Sequence, residues 1–286
     1  MKRTSGIFDE ITISLIEAGE ESGNLDDILG RLADELEKKK KLNDKIKSAF
    51  TYPIIMAVVV VGVVILMITV LVPTIEDVYS TFGADELPGV TRFVVAISNW
   101  TFSYWWLIII MTAIFGIGIK LYLDTDKGKL FFGKLMITIP LFGNLIVNMQ
   151  LAQFTRILAL LMSSGLSIIQ ALELTASSLS NIIFRKTLLE SVKEVEKGVS
   201  LSVPLSRSEV FPLIVSQMVS VGEETGSLDK ILSKMADFYE SEVEYITGNL
   251  STLLEPVILI VMGGVIGLIA AAVYVPMFNL AGALGA

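Results

Sequence analysis

Carboxylates are the main side chains in this sequence that are able to do chemistry. The 286 residues include no cysteine and no histidine, which removes thiolate nucleophiles, cysteine-ligated metals and the usual general base near neutral pH. The most distinctive acids are two pairs, Glu20–Glu21 and Glu223–Glu224, each just before a turn glycine, Gly23 or Gly226. These pairs predict contacts with cationic partners. A carboxylate-only active site, for example around Glu255, stays open as an alternative.

The two acidic pairs belong to an internal repeat. GEESGNLDDILGRLADELE at Gly19–Glu37 matches GEETGSLDKILSKMADFYE at Gly222–Glu240 with an offset of 203 residues, and 11 of these 19 positions are identical. The same ungapped offset aligns Pro53 with Pro256, Pro73 with Pro276, and Phe8 with Phe211. A register that holds across two prolines indicates a duplication.

Each copy of the repeat predicts a helix, a turn and a longer charged helix. Asn24 in the first copy, or Ser227 in the second, is placed to cap the longer helix, with an aspartate in its first turn. This local structure accounts for the turn glycines but not for the acids. Acids at a helix C-terminal end face the negative pole of the helix dipole, at a cost of about 0.3–1 kcal/mol each.

Two alternatives explain why this unfavourable arrangement occurs twice. The acids meet cations within the chain, or they meet cations on another protein. The internal candidates are Arg31, Lys234, Arg156 and Arg185. On either alternative, Glu20, Glu21, Gly23, Glu223, Glu224 and Gly226 form the candidate partner-binding turns.

The elements that carry these turns include membrane spans. The chain is 53% hydrophobic with a mean hydropathy of +0.69, and a span needs about 20 apolar residues. Three segments meet that length: 51–72, 105–123 and 255–275. Lysines cluster before the first and after the second, so residues 1–50 and 124–254 are predicted to be cytoplasmic. The connection 73–104 and the tail 276–286 are then external.

Apolar spacings of three and four within 124–254 predict a bundle of short helices. The fold class is therefore an all-α membrane protein with three transmembrane helices and duplicated cytoplasmic helical-bundle domains. The first domain, 1–50, is expected to be truncated, since counterparts of the segment upstream of the second turn would precede residue 1. Gly263 and Gly267 form a G-x-x-x-G in the third span, which predicts close helix packing within the chain or with a second copy.

The motifs along the chain resemble a known family. They include IPLFG at Ile139–Gly143, FTRILALLMSSGLSIIQAL at Phe154–Leu172, KGVSLS at Lys197–Ser202, the duplicated Gly-Glu-x-(Ser/Thr)-Gly turn and a Glu-Pro before the last span. This pattern resembles the inner-membrane platform proteins of type II secretion and type IV pilus machines (GspF/PilC type). The resemblance implies a scaffold that is not an enzyme and that couples a hexameric cytoplasmic ATPase to the assembly of pilins or pseudopilins.

The resemblance also implies the surroundings of the chain. It implies a multi-pass protein of the inner membrane that contacts lipids, other inner-membrane assembly proteins and further copies of itself. No cofactor and no metal are expected, and the net charge of −8 argues against a nucleic-acid partner. A transporter or channel is the alternative function, disfavoured because the span interiors lack the ionisable groups typical of a transport pathway.

Overall fold

The computed structural model describes residues 10–23, 25–74, 77, 89–140 and 142–284. Within these ranges every regular element is helical. The helices are α1 (Glu10–Ser22), α2 (Leu25–Leu66, continued by a π-helical turn at Met67–Leu71), α3 (Gly89–Asp124), α4 (Asp126–Thr138), α5 (Phe142–Ser163), α6 (Ile168–Ser178), α7 (Ile182–Val195), α8 (Ser202–Ser206), α9 (Leu213–Thr225) and α10 (Leu228–Leu284).

The described residues divide into two compact units. The first unit draws on Met1–Ile46 and Tyr122–Gly248, and the second on Lys47–Leu121 and Asn249–Ala286. The long helices α2 and α10 therefore each begin in the first unit and continue into the second. Both copies of the repeated turn lie in the first unit.

The core of the first unit is built around α5. Leu151, Phe154, Leu158 and Leu161 follow helical spacing and are fully buried. Phe211, in the loop before α9, packs edge-on against Phe154 with ring centroids 5.1 Å apart. The same buried cluster includes residues from both copies of the repeat: Leu15, Ile28 and Leu32 from the first, and Leu228, Leu232, Met235 and Tyr239 from the second.

The second unit brings together its three apolar helices. Its buried cluster comprises Met67, Val72, Val94, Val95 and Ala272. The Thr91 hydroxyl donates to the Ala272 carbonyl at 3.3 Å, and the Ser98 hydroxyl donates to the Ile68 carbonyl at 3.3 Å. Ile68 lies in the π-helical turn. The side-chain hydroxyls on α3 thus bond backbone groups of both neighbouring helices.

By length and composition alone, four helices in the described part of the chain are able to cross a membrane. They lie within Leu25–Thr74, Ser103–Asp124, Phe142–Ser163 and Leu228–Val275. The third of these, α5, was not predicted as a span, and it differs from the others. In the most apolar 18-residue stretch of α5, 56% is buried, against 6%, 0% and 6% for the other three. The reason is that α5 is the centre of the first unit's core.

Two helices extend beyond the predicted spans. Residues 89–104, predicted as part of a connection, are helical and continue into the second apolar segment as α3. The backbone at Tyr104 (φ −118°, ψ 18°) is not helical and kinks α3 at the predicted boundary. At the other end, α10 continues past residue 275 to Leu284, through most of the predicted tail.

Candidate functional site

The second copy of the repeated turn joins α9 to α10 through Gly226. Gly226 has φ +63°, a left-handed conformation that glycine adopts without steric cost. The Ser227 N–H donates to the Gly222 carbonyl at 3.0 Å, which closes the C-terminal turn of α9. The Ser227 hydroxyl donates to the Thr225 carbonyl at 3.4 Å, so this side chain bonds back to the end of α9 rather than capping α10.

Gly222 makes the turn tight for a separate reason. A Cβ atom at this position would lie 2.9 Å from the Leu228 Cα. That contact is with backbone, which has little freedom to move away. The glycine that opens the Gly-Glu-Glu motif therefore allows the start of α10 to approach the end of α9.

Glu223 has partners within the chain, and none of these hydrogen-bond donors carries a charge. Its carboxylate accepts from the backbone N–H groups of Leu201 at 2.8 Å and Ser202 at 3.4 Å, and it also accepts from the Ser200 hydroxyl. These donors stand at the start of α8, where backbone N–H groups lack helical acceptors. The charge at the unfavourable end of α9 is thus compensated at the N-terminus of α8.

Glu224 lies beside Glu223 but has a different environment. Its side chain is exposed and accepts from the Ser220 hydroxyl one turn earlier, at 3.1 Å. This bond within α9 does not hold the carboxylate against the bundle. Glu224 is therefore the acid of the second turn that is presented to solvent.

The first copy of the turn has the same glycine conformation as the second, but its first acid is placed differently. Gly23 has φ +70°, and a Cβ at Gly19 would lie 3.2 Å from side-chain atoms of Leu25 and Ile28. Glu20, the counterpart of Glu223, is exposed. Glu21 lies in α1 with its side chain outside the described part, and the predicted cap Asn24 lies outside it altogether.

The three arginines among the candidate internal cations bond to other groups. Arg31 pairs with Asp27 at 2.8 Å on the surface of α2, and Arg185 donates to the Leu179 carbonyl at 2.7 Å. The described contacts of Arg156 are likewise with acids outside the two turns. Of the two alternatives, an internal cation is not what Glu223 bonds, since its partners are backbone and hydroxyl donors.

Arg156, itself buried, is instead the centre of an ionic cluster that the sequence did not reveal. On α5 it is only 8% exposed, and it donates to both carboxylate oxygens of Glu240 at 2.8 and 2.7 Å and to Asp237 at 2.7 Å. Glu35, on α2, lies 3.7 Å from its Nε. One arginine therefore joins the long helices of both repeat copies to the bundle core.

The electrostatics of this cluster depend on burial. Burial opposes the charged form of Arg156, but the hydrogen bonds that it donates to Glu240 and Asp237 outweigh burial, and the pKa of the guanidinium is raised. Burial also raises the pKa of the Glu35 carboxyl; Arg156 lowers it in part, and the charge of Glu240 raises it further. The first-copy counterparts of Asp237 and Glu240 are Asp34 and Glu37, whereas the first-copy acid in the cluster is Glu35, so the repeat gave no signal for it.

The predicted packing glycines lie on an open part of α10. Gly263 and Gly267 are exposed, and a Cβ at either position would meet no atom within 4 Å among the described residues. Glu255, where a carboxylate active site was considered, is also exposed. In the described part of the chain, no group of three acids is arranged to hold a metal ion.

Comparison with known proteins identifies the family. Residues 1–73 and 154–276 match the family described as type II secretion system (T2SS), protein F. This chain belongs to that family. The matched residues include both repeated turns and the Arg156 cluster, so these features lie in the part that the family shares.

Individual members of the protein F family match this chain along nearly its whole length. It is 38% identical to type IV pilus assembly protein PilC of Thermus thermophilus over 97% of this chain and 68% of the relative. It is 36% identical to PilC of Myxococcus xanthus, over 99% of this chain and 68% of the relative. It is 28% identical to type II secretion system protein F of Aeromonas hydrophila, over 96% and 70%.

Proposed function

We propose that this chain is a non-enzymatic scaffold in the inner membrane that serves a type IV pilus or type II secretion machine. It couples a cytoplasmic hexameric ATPase to the assembly of pilins or pseudopilins, alongside other inner-membrane assembly proteins and further copies of itself. The observation that carries the proposal is its membership of the protein F family, with 38% identity along 97% of the chain to a protein named for pilus assembly.

The proposed arrangement has three spans, in the apolar parts of α2, α3 and α10. Residues 1–50 and 124–254 are cytoplasmic, and 73–104 and the C-terminus are external. The burial of α5 supports its exclusion from the spans, since its apolar side chains are already covered by the bundle. The lysines flanking the first two spans support the orientation.

Cysteine labelling tests this topology directly, because the chain has no native cysteine. Asp85→Cys lies in the predicted external connection, outside the described residues. Ser177→Cys is exposed at the end of α6. In intact spheroplasts an impermeant maleimide should label position 85 and spare 177, and both should react after lysis. Labelling of 177 before lysis would overturn the orientation.

Within the machine, the exposed acids of the two turns are proposed to bind the partner ATPase. Glu20 and Glu224 are exposed, whereas Glu223 bonds the start of α8. The double variant Glu20→Lys/Glu224→Lys should therefore reduce recovery of the ATPase without unfolding the bundle. Glu209→Lys, an exposed charge reversal in the loop before α9, is the matched control.

The measurement is a mild-detergent pull-down of the tagged chain from its native host, read by mass spectrometry. Recovery of a secretion-type ATPase with pilin-like proteins supports the scaffold role, and loss of the ATPase only in the double variant supports the turns as its binding site. Recovery of the chain alone, from cells that make those partners, would count against the proposed coupling.

A further inference from the structure

Helix α4 has an exposed apolar face that the bundle does not cover. Phe131 is 61% exposed and Leu135 42%. Phe131 and Leu135 are four residues apart, so they lie next to each other on one side of the helix. Two lysines, Lys127 and Lys134, are exposed along one edge of this face, and neither pairs with an acid in the described part of the chain.

The opposite side of α4 is held against the bundle. The Asn181 side chain donates to the Gly133 carbonyl at 3.0 Å, and a Cβ at Gly133 would lie 2.9 Å from Ile182. Lys129, which lies on this side, lines a cavity together with Asn181 and Arg185. The contacts of the bundle side therefore determine that Phe131 and Leu135 face outward.

The position of α4 in the chain indicates what covers the outward face. Only Thr125 separates its first residue from the end of α3, and the Thr125 side chain caps α4 by accepting from the Gly128 N–H at 3.1 Å. A Cβ at Gly128 would clash with the Tyr122 carbonyl oxygen, so the two helices are joined by a tight turn. At a rise of about 1.5 Å per helical residue, Phe131 is thus within about 12 Å of the end of α3, measured along the chain.

We propose that α4 lies on the cytoplasmic surface of the membrane, with Phe131 and Leu135 inserted among lipids and Lys127 and Lys134 bound to anionic headgroups. A helix with large apolar side chains beside lysines is typical of one that lies in the interface. The acids near the start of α4, Asp124 and Asp126, suit the positive end of its dipole and leave the lysines free to bind phosphates. The inference rests on the proposed crossing of the membrane by α3.

The test places an environment-sensitive fluorescent label on single cysteines in the full chain, reconstituted in vesicles of phosphatidylcholine and phosphatidylglycerol. Phe131→Cys and Leu135→Cys report the proposed face. Leu213→Cys on α9 is the matched control, since Leu213 is 62% exposed in the same unit. Phe115→Cys, 69% exposed on α3, reports the span itself. A quencher attached to lipid near the headgroups distinguishes buried from aqueous labels.

We expect blue-shifted emission and several-fold stronger quenching at 131 and 135 than at 213, with deep-bilayer quenching at 115. Quenching at 115 with water-exposed labels at 131 and 135 would overturn the surface helix and leave the span intact. A water-exposed label at 115 would overturn the proposed span, and the surface helix with it.

The lysine part of the proposal has its own matched pair. In the labelled Phe131→Cys chain, Lys134→Glu should reduce quenching and abolish its dependence on phosphatidylglycerol. Lys129→Glu makes the same charge change on the bundle side of α4 and should leave both nearly unchanged. Equal effects of the two substitutions would show that net charge, rather than this face of α4, governs lipid binding.

Discussion

The two copies of the repeat form nearly the same hairpin and use different faces of it. In both, a helix ends at a left-handed glycine, and a second glycine lets the next helix approach closely. In the second copy Leu232 and Tyr239 are buried at 0% and 4% exposure, whereas their first-copy counterparts Leu29 and Leu36 are 42% and 53% exposed.

The first copy packs through a neighbouring face of its long helix. Ile28 and Leu32 are 4% and 9% exposed and join the same core cluster as the second copy. The comparison shows that the hairpin is a local structure, with a left-handed glycine at the turn of both copies. Which side of the helix is buried depends on the helices that surround it.

The largest expected effect comes from truncating matched leucines. Leu232→Ala removes a fully buried side chain and should lower the free energy of unfolding of the first unit by about 2–5 kcal/mol. Leu29→Ala removes the exposed counterpart and should cost less than about 1 kcal/mol. Hydrogen–deuterium exchange of α5 amides in detergent micelles measures both. Equal losses would mean that the two copies bury this position of the long helix to the same extent.

The glycines of the two turns should behave alike, in contrast to the leucines. Gly23→Ala and Gly226→Ala each place a Cβ on a left-handed residue, at a cost of about 1–2 kcal/mol. Gly30→Ala is the control, since Gly30 lies in open space inside α2 and alanine there should stabilise the helix by about 0.5–1 kcal/mol. The same exchange measurement applies. A harmless Gly23→Ala beside a costly Gly226→Ala would show that the first turn does not hold its backbone in solution.

Much of the helical architecture was predictable because its signals are local. The repeat predicted a helix, a turn and a long helix at both sites, and all four helices are present. Apolar spacing predicted that α5 belongs to a bundle, although its composition alone would also suit a membrane span. Spacing was informative because Leu151, Phe154 and Leu158 recur on one face of the helix.

The contacts of the charged residues were not predictable from the same signals. Glu223 is satisfied by backbone N–H groups 21 and 22 residues earlier, and a search for cationic partners does not consider such donors. The role of Arg156 was also missed. Its partners Glu240 and Glu35 lie more than 80 residues after it and more than 100 residues before it in the sequence. Only the packing of α2 and α10 on α5 brings these side chains together.

The smallest predicted effect concerns two glutamates of α2 that respond to pH in opposite directions. Burial raises the pKa of Glu35 despite the nearby Arg156, while a hydrogen bond from Lys41 lowers the pKa of the exposed Glu37. Between the unfolded and the raised folded pKa of Glu35, the folded state holds more protons, so stability falls as pH rises through that window. For Glu37 stability is instead lost as pH falls through its lowered pKa.

Glu35→Gln should therefore stabilise the first unit at neutral pH. It should also reduce the loss of stability that occurs as pH rises above the ordinary pKa of a carboxyl group. Glu37→Gln, on the same helix, should slightly destabilise it, because the exposed pair with Lys41 contributes little. Thermal unfolding in micelles from mildly acidic to neutral pH measures both. The second-copy counterpart of Glu35 is Phe238, so this carboxylate belongs to the first copy alone. Destabilisation by Glu35→Gln at neutral pH would mean that its attraction to Arg156 outweighs its burial, and that this ionic contact holds the first hairpin on the bundle.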